Sequence, residues 1–158
     1  ELCPGWDGRI GVDGKPSCIA GTRAETRRFS QAGARPELGA TWDPCNTLYV
    51  PGYAGEATKG FAEIASRVIH VHVKDAGRDR GPAPEARPVG RGDVGWREHF
   101  RALTAAGFEG RLSLETHWRA RALSAKDLHL QGGVGFFVGG EDASEFCLDE
   151  IRKIFAQP

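Results

Sequence analysis

The chain has no methionine, only two tyrosines, and no net charge, because 21 Lys and Arg balance 21 Asp and Glu in 158 residues. No apolar run approaches the roughly 20 residues that a membrane-spanning helix needs, so no membrane role is expected. Charge balance removes any global attraction to nucleic acid or anionic lipid and leaves room only for a local basic groove. The four cysteines (Cys3, Cys18, Cys45 and Cys147) form no C-x-x-C pair. They fit reduced thiols of a cytoplasmic protein better than a disulfide framework or a structural zinc site. The glycines fall in neither the G-x-G-x-x-G nor the G-x-x-x-x-G-K-[ST] spacing, which leaves dinucleotide and phosphate-loop readings weak. No secretory leader opens the sequence. The start at "ELCPGW", without an initiator, reads as the tail of something longer.

What is present is one repeated plan. In "LGATWD" (38–43), Leu38, Ala40 and Trp42 alternate with Gly39, Thr41 and Asp43. In "VIHVHVK" (68–74), Ile69, Val71 and Val73 alternate with His70, His72 and Lys74. In "LSLETH" (112–117), Leu112, Leu114 and Thr116 alternate with Ser113, Glu115 and His117. Side chains on a strand point alternately to opposite faces, so each run has an apolar face and a face able to bind a metal or move a proton.

Helical patterns separate these strands. "TRAETRRFSQAG" opens with a Thr22-x-x-Glu25 capping box and stops at Gly33. "YAGEATKGFAEIASR" spaces Phe61, Ile64 and Ala65 helically, weakened by Gly55 and Gly60. "GWREHFRALTAAG" carries Trp96, Phe100 and Leu103 along one stripe and ends at Gly107. "EDASEFCLDEIRKIF" has early acids, late Arg152 and Lys153, and an apolar set of Phe146, Cys147, Ile151, Ile154 and Phe155. Strand and helix in alternation predict one α/β domain over 1–158, with parallel strands joined by crossover helices. The long connections 75–94 and 117–141 follow strands, at the end where such folds keep their sites. His70 lies one layer below His72 and is expected to be a hydrogen-bonded core imidazole. His99 on its helix and His129 in a loop are expected in solvent.

Asp43, His72 and Glu115 fall at the last inward position of three successive strands, and Glu1, just before Leu2, is a possible fourth. An imidazole among carboxylates at one mouth suits a single divalent Mn²⁺, Mg²⁺, Co²⁺ or Zn²⁺ with positions open to substrate. Lys74 and His117 point into the same mouth as candidate hydroxyl or carbonyl contacts, although Lys74 has a plainer alternative in pairing with Asp43, Glu115 or Asp75.

The blocks "WDPCN", "VIHVHVKDA", "PVGRGDVGW", "LTAAGFEGRLSLETHW" and "GGEDASEFCLDEI", in this order and spacing, resemble the xylose isomerase-like TIM barrels, the sugar phosphate isomerase/epimerase superfamily. The resemblance covers nearly all of 38–155. It implies a (β/α)₈ TIM barrel of which this chain is about the C-terminal half, from the end of strand 5 through helix 8, with "GWDGRIGVDGKPSCIA" as an insertion. It implies metal ligands at Glu1, Asp43, His72 and Glu115, and a substrate-side Asn46. It implies a sugar, sugar phosphate or polyol isomerase or epimerase working through proton abstraction and a metal-stabilised enediolate, with Glu115 and Glu1 as the acid/base pair. An inosose-type dehydratase and a non-catalytic metal-binding barrel are the alternatives. An abasic-site endonuclease is disfavoured, since Arg87-Pro88-Val89 and Asn46 stand where its extra ligands belong. Relatives commonly have Gly-Glu-Gly where this chain has Gly90-Arg91-Gly92, so Arg91 is a candidate for an acidic group on the substrate or a solvated loop residue. Trp118 could stack on a sugar ring or wall the core. Half a barrel implies an open curved sheet that needs its missing N-terminal half or self-association.

Overall fold

The structure, a computed structural model, describes residues 8–14, 28, 37–50, 60–79, 81, 83–120, 124 and 139–156. Among these, four strands form one parallel sheet in the order β1 (Ile10–Asp13), β2 (Leu38–Trp42), β3 (Val68–Val73) and β6 (Arg111–Leu114). Between β3 and β6 a small antiparallel ribbon pairs β4 (Asp75–Gly77) with β5 (Glu85–Arg87). The helices are α1 (Phe61–Ile64), α2 (Trp96–Ala105) and α3 (Gly140–Ala156), and a 3₁₀ helix, Pro44–Tyr49, follows β2 directly. The expected helix at 22–33, apart from Arg28, and the first part of the one expected at 53–67 lie outside the described residues. What is described of the latter is α1 and a 3₁₀ turn, Ala65–Arg67.

β1 corrects one expectation. It lies within the segment expected to be an insertion, yet it pairs with β2 from Ile10↔Leu38 to Asp13↔Thr41. Four residues with two glycines nearby carry little propensity. The ladder to β2, begun by the Ile10 N–H donating to the Glu37 carbonyl at 2.7 Å, supplies what the local sequence lacks.

The core lies between one face of the sheet and α2 and α3. Ala40, Trp42, Val68, Val71 and Val73 pack with Phe61, Trp96, Phe100, Leu103 and Cys147. The α2 stripe is as expected, and Gly107 beyond it takes φ +65, the left-handed conformation that ends a helix. Along α3, Ala143 and Cys147 are buried, whereas Phe155 is 58% exposed and stacks on Phe100 at 4.6 Å between ring centroids.

Strict alternation fails once in β3. The β2–β3 register jumps from Ala40↔Val68 to Thr41↔His70, so Ile69 is the extra residue of a bulge. Ile69 leaves the expected row with Val71 and Val73 and turns to the other face. There it fills the notch left by Gly39, where an added Cβ would stand 2.5 Å from its Cγ2. Val68 takes the core position instead. On this concave face Gly11, Thr41, Ile69 and His70 line a cavity of 780 Å³. The edge strands carry partly open apolar residues, Ile10 at 42% and Leu112 at 43% exposure.

His99 is a second correction. It is 1% exposed and lies between Trp42 and Trp96, with ring centroids at 6.0 and 5.6 Å. The apolar face of α2 is wide enough to include position 99 beside 96, 100 and 103. Neither ring nitrogen has a hydrogen-bond partner among the described residues, and burial pushes the imidazole down to about 4 from 6.5.

Two outcomes follow. Gly39→Ala is expected to lower the stability measured by urea unfolding by about 1–3 kcal/mol, because Ile69 cannot leave its notch. For His99, the unfolded chain binds a proton between pH 6.5 and 4 that the folded chain refuses. Stability is therefore fully present above that window and falls as the pH drops through it, by up to about 3 kcal/mol. Unfolding at about pH 7 and about pH 4.5 should show a larger loss for the unaltered chain than for His99→Gln.

Candidate metal centre

Four strands deliver polar side chains to one end of the sheet. β1 ends at Asp13, β2 is followed by Asp43, β3 carries His72, and β6 is followed by Glu115. They are not in one row. Asp13 is level with Thr41 and Thr41 with His70, while His72 is level with Ser113. Asp43 therefore shares the row of His72, Asp13 sits two residues below it and Glu115 two above. This stagger is the shear of a sheet closing into a barrel.

The side chains converge on His72. Its Nδ1 is 3.8 Å from Asp13 Oδ2, 3.8 Å from Asp43 Oδ2 and 3.5 Å from Glu115 Oε2. Asp13, Asp43 and His72 each offer one ligand atom, all within 4.8 Å of one another. At these lengths Nδ1 makes no hydrogen bond, and it is a buried polar atom without a partner among the described residues. Donor atoms sharing an ion at about 2.0–2.2 Å stand about 3–3.8 Å apart, so Asp13, Asp43 and His72 are grouped closely enough to share one ion, while Glu115 reaches His72 from outside that group of three. One imidazole with carboxylates is a donor set that Mn²⁺, Mg²⁺, Co²⁺ and Zn²⁺ all accept.

Lys74 stands inside this ring of acids. Its Nζ lies 2.6 Å from Asp43 Oδ2 and 2.5 Å from Glu115 Oε2, and its side chain is 4% exposed. Burial works against the ammonium, but Asp43 and Glu115 outweigh it and the lysine is raised above its usual range. Burial likewise works against the Glu115 carboxylate, and Lys74 outweighs it, so Glu115 is held below its usual range and ionised. The Asp43 side chain raises His72, against burial, with Glu115 and Asp13 adding to the effect. Asn46 ties two strand ends together. Its backbone N–H donates to Asp43 Oδ1 at 3.2 Å, and its Nδ2 donates to the Gly14 carbonyl at 2.9 Å and to Asp13 Oδ1 at 3.5 Å.

Of the residues expected from sequence, Asp43, His72, Glu115 and Lys74 thus come together, with Asn46 bracing them. Glu1 lies outside the described residues. Asp13 was missed, although "RIGVD" repeats the plan of "LGATWD", with an acid closing a short alternating run. His117 is at the rim, its Nε2 3.5 Å from Glu115 Oε1. Trp118, half-buried, packs against Phe146 with centroids 5.3 Å apart. Arg91 turns to α3, where its Nε donates to Glu150 Oε2 at 2.9 Å and its guanidinium lies over Phe146. His70 meets His72 edge to face at 5.3 Å and is lowered by burial, with His72 and Arg111 adding to it.

The connection after β3 holds Lys74 in place. The buried Asp75 carboxylate accepts four backbone N–H groups, from Ala76 at 2.9, Gly90 at 2.9, Gly92 at 3.1 and Val94 at 3.2 Å. A Cβ at Gly92 would stand 2.3 Å from Asp75 Oδ1, so only glycine lets the loop close on the carboxylate. The indole of Trp96 then donates to the Lys74 carbonyl at 2.9 Å.

The family model for the xylose isomerase-like TIM barrel matches residues 6–133. The chain belongs to that family. The match includes β1, in keeping with its place in the sheet. Among solved structures, this xylose isomerase-like chain is similar to a probable 3-DHS dehydratase involved in petrobactin synthesis from Bacillus anthracis. There the identity is 15% and the TM-score 0.63, over 95% of this chain and 50% of that one. A xylose isomerase-like TIM barrel protein from Mycobacterium smegmatis, in complex with magnesium, shares 14% identity at a TM-score of 0.62, over 89% of this chain and 44% of that one. An L-ribulose 3-epimerase shares 17% identity at a TM-score of 0.53, over 94% of this chain and 51% of that one. At these identities the likeness is one of fold. The chain spans about half the length of these proteins. No curated protein matches it at a significant level.

Asp75→Asn is expected to turn an amide against N–H groups that now have an acceptor. It should lower stability by about 3 kcal/mol or more in urea unfolding, whereas Arg91→Ala, on an exposed pair, should stay within about 1 kcal/mol.

Proposed function

We propose that this chain supplies the metal-holding part of a barrel enzyme that isomerises or epimerises a small sugar, sugar phosphate or polyol, by moving a proton on carbon next to a carbonyl. One observation carries the reading: oxygens of Asp13, Asp43 and Glu115 gather around His72 Nδ1, which has no hydrogen-bond partner among the described residues. The family, the magnesium-bound relative and the relative named as an epimerase support it. Asp43, His72 and Glu115, with Glu1 or Asp13 as a further donor, would hold one divalent ion, Mn²⁺, Mg²⁺, Co²⁺ or Zn²⁺. That ion would supply positive charge beside the oxygen that becomes negative as the proton leaves.

The chain's own groups do the rest. Glu115 is ionised and, with its side chain 30% exposed, reaches the mouth, so it takes the proton from one face of the substrate. By the family resemblance, Glu1 would be the second member of the acid/base pair. Lys74 and His117 flank Glu115 and bind hydroxyl or carbonyl oxygens. A dehydration is the second reading, favoured by the Lys74 ammonium beside Glu115, which could hydrogen-bond to the oxygen of a departing hydroxyl, and by the relative named as a probable dehydratase. Because the chain spans about half of the related barrels, turnover is expected from an assembly that closes the sheet. The strands that close it would be supplied by a further polypeptide segment or by a second copy of this chain.

The test is proton exchange. With Mn²⁺ in D₂O, in an assembly with a closed barrel, NMR of a panel of ketoses should show loss of the hydrogen next to the carbonyl. The loss should depend on the metal and fall at least about 100-fold in Glu115→Gln. Unchanged exchange in Glu115→Gln would place the base elsewhere, and exchange indifferent to Mn²⁺ would remove the metal from the reaction.

A further inference from the structure

We propose that the Lys74 ammonium and the divalent ion compete for the same two carboxylate oxygens, so that metal loading is an exchange of one cation for the other. This rests on the metal reading above and adds a role for Lys74 within it. Each of the two acids has one oxygen directed elsewhere: Asp43 Oδ1 accepts the Asn46 N–H at 3.2 Å, and Glu115 Oε1 faces His117 Nε2 at 3.5 Å. The remaining oxygens, Asp43 Oδ2 and Glu115 Oε2, are the ones that face His72 Nδ1, at 3.8 and 3.5 Å. They are also the ones that Lys74 Nζ approaches, at 2.6 and 2.5 Å.

An ion bound at about 2.1 Å to either oxygen would lie no more than about 4.7 Å from that nitrogen, in a buried place where like charges are poorly screened. The ammonium therefore withdraws when the ion enters. The backbone of Lys74 cannot follow, because its carbonyl is held by the Trp96 indole at 2.9 Å and Asp75 beside it collects four N–H groups. Movement is confined to the flexible four-carbon stem. The ammonium, released from Asp43 and Glu115, is then offered to an oxygen of the substrate, so the substrate-binding cation becomes available only after the metal is in place. Until then it neutralises the buried Asp43 and the half-buried Glu115.

Calorimetric titration with Mn²⁺ alone tests this on the full chain, in the unaltered protein and in Lys74→Met, Lys74→Arg and His72→Ala. Lys74→Met is expected to bind Mn²⁺ at least about tenfold tighter than the unaltered chain, and Lys74→Arg no tighter. Equal or weaker binding in Lys74→Met, with binding still lost in His72→Ala, overturns the exchange while leaving the metal site standing. Binding that is indifferent to His72→Ala, or absent throughout, removes the metal reading and the exchange with it. Lys74→Met leaves the Asp43 carboxylate buried without a cation, so its thermal midpoint is measured as well. A midpoint that Mn²⁺ raises more in Lys74→Met than in the unaltered chain, or folding that appears only with Mn²⁺, supports the exchange. Equal shifts, or a chain that stays unfolded at saturating Mn²⁺, overturn it.

Discussion

The carboxylate of Asp75 is the contact on which the candidate site depends. Burying an acid costs less when hydrogen bonds replace its water, and here four backbone N–H groups do so, although burial still outweighs them and holds Asp75 up at about 6. In collecting them it folds the connection after β3 back onto the strand end and brings Trp96 to the head of α2. Trp96 in turn joins the core and grips the Lys74 carbonyl. One side chain thus couples the sheet, the loop and the helix, and fixes the height from which Lys74 reaches the acids.

Much of this was legible in the sequence. Alternation located β2, β3 and β6, the spacing of Trp96, Phe100 and Leu103 located α2, and acids early with bases late located α3. The grouping of Asp43, His72 and Glu115 followed from phase alone. Phase says only which face a side chain takes, however. The levels of the residues depend on the stagger between neighbouring strands, which no single strand encodes. Acids closing different rows still meet because the strands are offset and their side chains differ in length.

What escaped the sequence did so for reasons of context. β1 is short and glycine-flanked, and exists through its ladder to β2, so its terminal Asp13 was not recognised as a strand end. The bulge at Ile69 shifts one residue across the sheet, and its cause is the hollow at Gly39 on another strand. His99 is polar by type, yet it occupies the apolar side of α2 because two tryptophans close over it. Each miss is a local preference overruled by a neighbour distant in sequence.

The loop that closes on Asp75 is recognised through its main chain only. Gly90 and Gly92 present N–H groups inward, while the residue between them makes its contacts with Glu150 and Phe146 on α3. A clasp made of amide groups is blind to the side chain it carries. Position 91 can therefore change from acid to base without loosening the clasp, provided that the facing helix offers a matching partner. In this chain Glu150 is that partner, so the charge at position 91 is answered on α3 and leaves the strand ends that carry Asp43 and His72 untouched.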